Sequence, residues 1–218
     1  MESKVTHHYS KESPLKIDGS ILEGGGQILR ISISMSYLLG IPISIRNIRS
    51  KRDNPGLQRQ HLTCCKFITS LYHSKEVSGL LTKENSEEIK CILNSAGSIG
   101  LMIQQLLPCV LYSEVEDKND NDKISITLTG GTLVKFSPTI YYLNDALFPI
   151  LEKSMNIKAS CDLKKNGIYP MGLGEVLLHV QKILKSKNEF INPINITELG
   201  KFIRTEIRFC YTNNFKFK

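Results

Sequence analysis

Two hydrophobic periods alternate along this chain. Ile124–Thr129 places apolar residues at every second position, the pattern of a strand with one buried face. Ile41–Ile48 alternates in the same way, and Leu15–Ile17, Lys158–Leu163 and Glu175–Val180 are also read as strands. Gln27–Leu39 fits both periods. Ile31, Ile33, Met35 and Tyr37 alternate with other residues, yet Ile28, Ile31, Met35, Leu38 and Leu39 form a helical stripe. Gly40 stands where a helix stop belongs, and a helix makes the preceding glycine run a helix N-terminus, so helix is preferred. Gln58–Leu71 predicts a second helix. Ser95–Tyr112 predicts a helix as far as Pro108 and extended chain beyond it. Thr139–Met155 predicts a helix kinked at Pro149, whose ring removes one N–H.

The remaining stretches are polar. Residues 74–94 are weakly periodic, Glu114–Asp122 reads as an acidic loop, and the tail after Leu184 has little pattern. The order strand, helix, strand, helix, then a second set of similar content, predicts an α+β fold of helix-backed sheets in two layers. The expected organisation is an extension over 1–14, a first unit over 15–92, a second over 93–184 and a tail over 185–218.

Composition narrows this picture only a little. The 218 residues can bury a core, 41% of them are hydrophobic, and there is no Trp. A net charge of +7 favours a polyanionic partner weakly, because the basic residues are partly spread. Met1–Pro14 has no apolar core of a secretory signal and is expected to be a disordered extension. Ile99–Tyr112, broken by Gln104-Gln105, is too short to span a bilayer, so no membrane partner is expected. Six scattered cysteines without metal spacing point to a reducing, intracellular compartment and no structural zinc.

The candidate chemistry lies in two blocks. In the first, Asp18-Gly19-Ser20 is followed by Glu23-Gly24-Gly25-Gly26-Gln27-Ile28-Leu29-Arg30. Glycines let backbone approach a ligand closely, and N–H groups at a helix start suit phosphate. Glu23 could hold a metal or position a hydroxyl, and Arg30 could grip an oxyanion. In the second, Arg49, Lys51, Arg52, Arg59 and His61 crowd around a Pro55-Gly56 turn, with Gln60 as a neutral donor. Lys51 and Arg59 read as solvated charges, while Arg49, Arg52 and His61 read as functional.

Together the blocks resemble the RNA 3'-terminal phosphate cyclases. Further matches are Ser95-Ala96-Gly97-Ser98 through Gln104 to Leu107-Pro108, Gly130-Gly131-Thr132 with Pro138, and Gly167-Ile168-Tyr169-Pro170 with Gly172 and Gly174-Glu175-Val176. The resemblance is collinear from Leu15 to about Leu199. It implies repeated units of two helices on a four-stranded sheet, with a smaller inserted domain beginning in 185–218. A third unit and most of the inserted domain are expected to be absent from this chain.

The function implied is that of a ligase: ATP-dependent conversion of an RNA 3'-phosphate to a 2',3'-cyclic phosphate through enzyme-AMP and RNA-AMP intermediates. The implied partners are ATP and an RNA with a 3'-phosphate end. By position, Glu23 would bind Mg²⁺ or Mn²⁺. Arg30, Arg49, Arg52, Gln60 and His61 would line the pocket for the RNA terminus and the ATP phosphates, and Gln104 and Pro138 would sit by the nucleotide. None of His7, His8, His61, His73 and His179 stands in the context of the family's adenylated His, which is expected beyond Lys218. A nuclear location follows by analogy with eukaryotic relatives, with cytoplasm as the alternative.

The chain departs from the family in three places. The strand after the second helix is shortened between Val77 and Cys91. A glycine triplet has become Gly172-Leu173-Gly174, and Asn166 replaces an Arg. The competing reading is a non-catalytic cyclase-like protein of rRNA processing and ribosome biogenesis, which shares the Pro-Gly-Leu turn. Glu23–Gln27 and Gln60-His61 favour the enzyme. A third reading, a truncated product with an exposed sheet edge, would be prone to aggregation.

Overall fold

The cleanest alternation in the sequence becomes the middle of a four-stranded sheet. A computed structural model describes residues 9–72, 89–113, 123–183, 194–197, 200–207 and 209. The acidic loop, the weakly periodic stretch up to residue 88 and most of the tail lie outside these residues, as do His7, His8, His73 and Cys210. Residues 9–14 contain no helix or strand.

The chain begins with β1 (Leu15–Asp18), α1 (Gly26–Leu39), β2 (Ile43–Arg46) and α2 (Arg59–Tyr72). β1 and β2 pair in parallel, from Leu15 beside Ile43 to Asp18 beside Arg46. Parallel neighbours need a crossover, and α1 supplies it. Gly40 ends α1 in the left-handed conformation, and its N–H bonds the Ser36 carbonyl.

A second set follows: β3 (Ile89–Cys91), α3 (Ile99–Leu111), β4 (Lys123–Gly130), α4 (Ile140–Tyr142), a π-helical turn (Leu143–Leu147), α5 (Phe148–Met155), β5 (Ala159–Lys165) and β6 (Gly174–Gln181). The strand order is β3-β4-β6-β5, with β3 parallel to β4 and β6 antiparallel to both neighbours. β3 therefore belongs to the second sheet, although a boundary at residue 92 assigns it to the first unit.

α3 is the centre of the core. Ile99, Met102, Ile103, Leu106, Cys109 and Val110 are buried together with Ile126, Leu128, Val176, Leu178 and Val180 of the sheet. α3 also packs against α1 and α2, so one helix joins both sets. At the α1 crossing, Ser34 Oγ donates to the Gln105 carbonyl at 2.8 Å.

Two prolines behave differently from expectation. The helix does not stop at Pro108 but runs on to Leu111. The carbonyl that loses its N–H partner belongs to Gln104, on the exposed side of α3, where the helix can give. The irregularity expected at Pro149 appears as a π-turn just before it, with the Phe148 N–H on the Leu143 carbonyl. Pro149 then sits in the first turn of α5, where no N–H is needed. The turn brings Asn144 to the edge strand β5, where its amide donates to the Cys161 carbonyl at 2.7 Å and accepts from the Cys161 N–H at 2.9 Å.

Candidate phosphate-binding site

The strand directions gather the loops. The C-terminal ends of β1 and β2 lead into residues 19–25 and 47–58. In the second sheet β3, β4 and β5 run the same way, so the loops 92–98, 131–139 and 166–173 share one end. Open α/β sheets bind ligands at such carboxyl ends.

The two loop clusters are tied by Gln60. Its Oε1 accepts from the Ser98 N–H at 3.1 Å, and its Nε2 donates to the Ser98 carbonyl at 3.3 Å. Ser98 is itself the N-cap of α3, accepting from Leu101 N–H. Gln60 thus holds the seam between the units. That role was not visible in a sequence that suggested only a donor to ligand.

The glycine loop is closed from all sides by charged groups. Asp18 Oδ1 accepts from Ser20 N–H, Ser20 Oγ and Asn47 Nδ2, which fixes the loop's entry. A Cβ on Gly24 would stand 3.0 Å from Lys51 Cγ, and Gly24 has φ 58°. On Gly25 it would stand 2.8 Å from both Arg52 Nη2 and Glu23 Oε1. On Gly26 it would stand 2.5 Å from His61 Nε2 and 3.2 Å from Arg30 Nη1. α1 starts at Gly26, and its N-cap Gly25 offers no side-chain partner to the first N–H groups. A helix N-terminus, two arginines and a histidine therefore meet at one point.

Lys51 is exposed, as expected of a solvated charge, and it also touches the glycine loop. Its Nζ donates to the Leu22 carbonyl at 2.8 Å and its stem lies over Gly24, so it clamps the loop. Its only signal in sequence was its place in the basic block. Arg49 braces its own turn, with Nη1 on the Asn54 carbonyl at 2.6 Å. Gln104 is exposed on α3, one turn beyond Gly100, and the Pro138 carbonyl packs against Gly100. Gln104 and Pro138 thus lie on the same side of α3. Leu173 stands with its neighbour Gly172 close against Ser95 and Ala96, and its own side chain faces solvent.

Burial shapes the charges. His61 is only 7% exposed, and its pKa falls from the ordinary 6.5 to about 4, first through burial and then through Arg30 and Arg49. It is neutral at physiological pH, so it adds no repulsion to the arginines. Burial also lowers the Arg30 pKa, but the guanidinium stays charged. Arg30 Nε and His61 Nδ1 are buried without hydrogen-bond partners. Glu23 faces Arg52 at 3.4 Å, and both are substantially exposed. Among the described residues no trio of His, Cys, Asp or Glu is grouped for a metal. One carboxylate can still serve Mg²⁺ where phosphates complete the shell.

This arrangement can neutralise a crowded phosphate and hold it against backbone N–H groups. The sequence comparison agrees: the family model for RNA 3'-terminal phosphate cyclase matches residues 21–204.

The chain belongs to the RNA 3'-terminal phosphate cyclase family.

A curated RNA 3'-terminal phosphate cyclase of Pyrobaculum aerophilum is 39% identical over 200 residues, covering 85% of this chain and 55% of that protein. That of Desulfurococcus amylolyticus is 36% identical over 198 residues, covering 87% and 52%. That of Thermococcus sibiricus is 40% identical over 173 residues, covering 74% and 46%. The chain thus spans about half the length of the curated relatives it matches. The α+β fold agrees with membership of the cyclase family, and no helix among the described residues is long and apolar enough to cross a membrane.

Proposed function

We propose that this chain carries the phosphate-binding part of an ATP-dependent RNA 3'-terminal phosphate cyclase. The reaction converts an RNA 3'-phosphate into a 2',3'-cyclic phosphate through enzyme-AMP and RNA-AMP intermediates. The observation that carries the reading is the meeting of Arg30, Arg52 and His61 at the Gly25-Gly26 helix start.

In this reading Arg30, Arg49, Arg52, Gln60 and His61 receive the RNA end and the ATP phosphates. Arg30 supplies a fixed positive charge from below. Arg52 is exposed and exchanges Glu23 for a phosphate oxygen, which frees Glu23. Freed Glu23 is the residue that would hold Mg²⁺ or Mn²⁺, which when bound offsets phosphate charge. Neutral His61 offers a hydrogen bond without adding charge. Gln60 keeps the two loop clusters in register, and Gln104 and Pro138 border the nucleotide. Positioned charge of this kind lowers the barrier where negative charge builds up on phosphoryl oxygens.

The intact Glu23–Gln27 and Gln60-His61 pairs favour the cyclase over the non-catalytic cyclase-like protein. The relatives named above come from archaea, so they lend nothing to a nuclear location. The test is direct binding. The chain is expected to bind a 3'-phosphorylated RNA oligonucleotide at least tenfold more tightly than its 3'-hydroxyl counterpart, about the effect of one charge-assisted hydrogen bond. Equal affinities would rule out the pocket.

A further inference from the structure

Three bulky apolar residues hold left-handed backbone while their side chains face water: Leu22 (φ 55°), Phe136 (φ 58°) and Leu173 (φ 57°). Residues with a Cβ avoid this region, and strained backbone clusters where function demands it. Phe136 is the extreme case, at 99% exposed. Tyr169 is 78% exposed.

The loops bearing these two rings are bound to each other. Thr132 and Leu133 N–H groups both donate to the Gly167 carbonyl, and Leu133 bridges to Ile168. Both loops also lean on residues 95–98. Gly131 N–H donates to the Gly97 carbonyl at 2.8 Å, and Gly172 lies against Ser95 and Ala96. Ser98, at the end of that segment, is the residue Gln60 grips. The loops that carry the rings therefore adjoin the segment that Gln60 ties to the phosphate site.

Lysines flank them. Lys135 precedes Phe136, and Lys164 and Lys165 lie just ahead of Tyr169, all exposed. The cores of protein interfaces are depleted in lysine. Exposed rings among lysines are instead the composition of a single-strand nucleic-acid surface, where bases stack on the rings and cations follow the backbone.

We propose that Phe136 and Tyr169 form a stacking platform for the unpaired nucleotides that lead to the terminal phosphate of a single-stranded RNA. The proposal rests on reading the Gly26 site as the pocket for that phosphate.

The chain has no Trp, so Phe136→Trp introduces a single indole reporter. Its fluorescence is expected to be quenched on binding a 3'-phosphorylated single-stranded oligonucleotide. An abasic ribose-phosphate oligomer of the same length should leave it bright. Phe136→Asn keeps a residue that tolerates the left-handed backbone. Phe136→Asn and Tyr169→Ala are each expected to weaken the oligonucleotide roughly tenfold and leave the abasic oligomer unaffected.

An indole left bright by bound oligonucleotide, or affinity unchanged in both variants, overturns the platform; either result would fit a rim covered by protein instead. Quenching without any preference for a 3'-phosphate keeps the platform and removes the phosphate-pocket reading. A chain that binds no oligonucleotide overturns both.

Discussion

Gly26 and His61 define each other at the residue scale. The imidazole occupies the space that any Cβ at position 26 would enter. Gly26→Ala is therefore expected to lower stability by about 1–3 kcal/mol through overpacking, and to weaken 3'-phosphate binding as well. Gly40 provides the contrast. It has positive φ, at 65°, which Gly26 does not, and open space around it, so Gly40→Ala should cost only about 1 kcal/mol and spare binding. Denaturation midpoints and oligonucleotide titrations of the two variants separate these effects.

His61 also sets a pH dependence. Its folded pKa of about 4 lies below the ordinary 6.5, so the unfolded chain binds more protons between those values. Its contribution to stability is then complete above pH 6.5 and is lost as pH falls toward 4, on the order of 1 kcal/mol per pH unit. A urea midpoint measured against pH should show this slope, and His61→Gln should flatten it. A slope that survives the substitution would assign the effect elsewhere. That Glu23, Arg30 and Arg52 gather at the glycine loop was legible in sequence, because their types and spacing suggested one cluster. Lys51 and Gln60 were not, because each acts through a partner 29 or 38 residues away.

At the scale of elements, periodicity found what burial enforces. β4 and β6 were legible because every second side chain enters the core. The helix α1 was ambiguous because its serines suit either period, and Gly40 decided it. β3 could not be placed, since three residues carry too little pattern and their parallel pairing with β4 is set by tertiary contact. Pro108 misled because a proline near the end of a buried helix can be tolerated on an exposed side. Asn144 gives a test at this scale. Its amide makes two hydrogen bonds to the edge of β5. Asn144→Ala is expected to cost about 2 kcal/mol and to speed hydrogen exchange at the Cys161 N–H. Unchanged exchange would show that the π-turn does not secure the edge.

Among the described residues the two sets of elements meet at a seam, and the candidate site lies beside it. α3 packs on both sets of elements, Gln60 pins its N-cap, and the loops of both sheets open toward the same rim. The family was legible from five ordered motifs and is shown by a match over residues 21–204. Family membership follows from the whole match. The phosphate pocket is instead a claim about a few side chains, and Arg52 tests it most directly because it is exposed and paired across the loop with Glu23. The decisive quantity is the ratio of affinities for 3'-phosphorylated and 3'-hydroxyl RNA, measured in the natural chain and in Arg52→Ala. The ratio is expected to fall by about tenfold toward one in the variant, with the 3'-hydroxyl affinity nearly unchanged. A ratio that stays as it was would contradict the assignment of this loop to the RNA terminal phosphate.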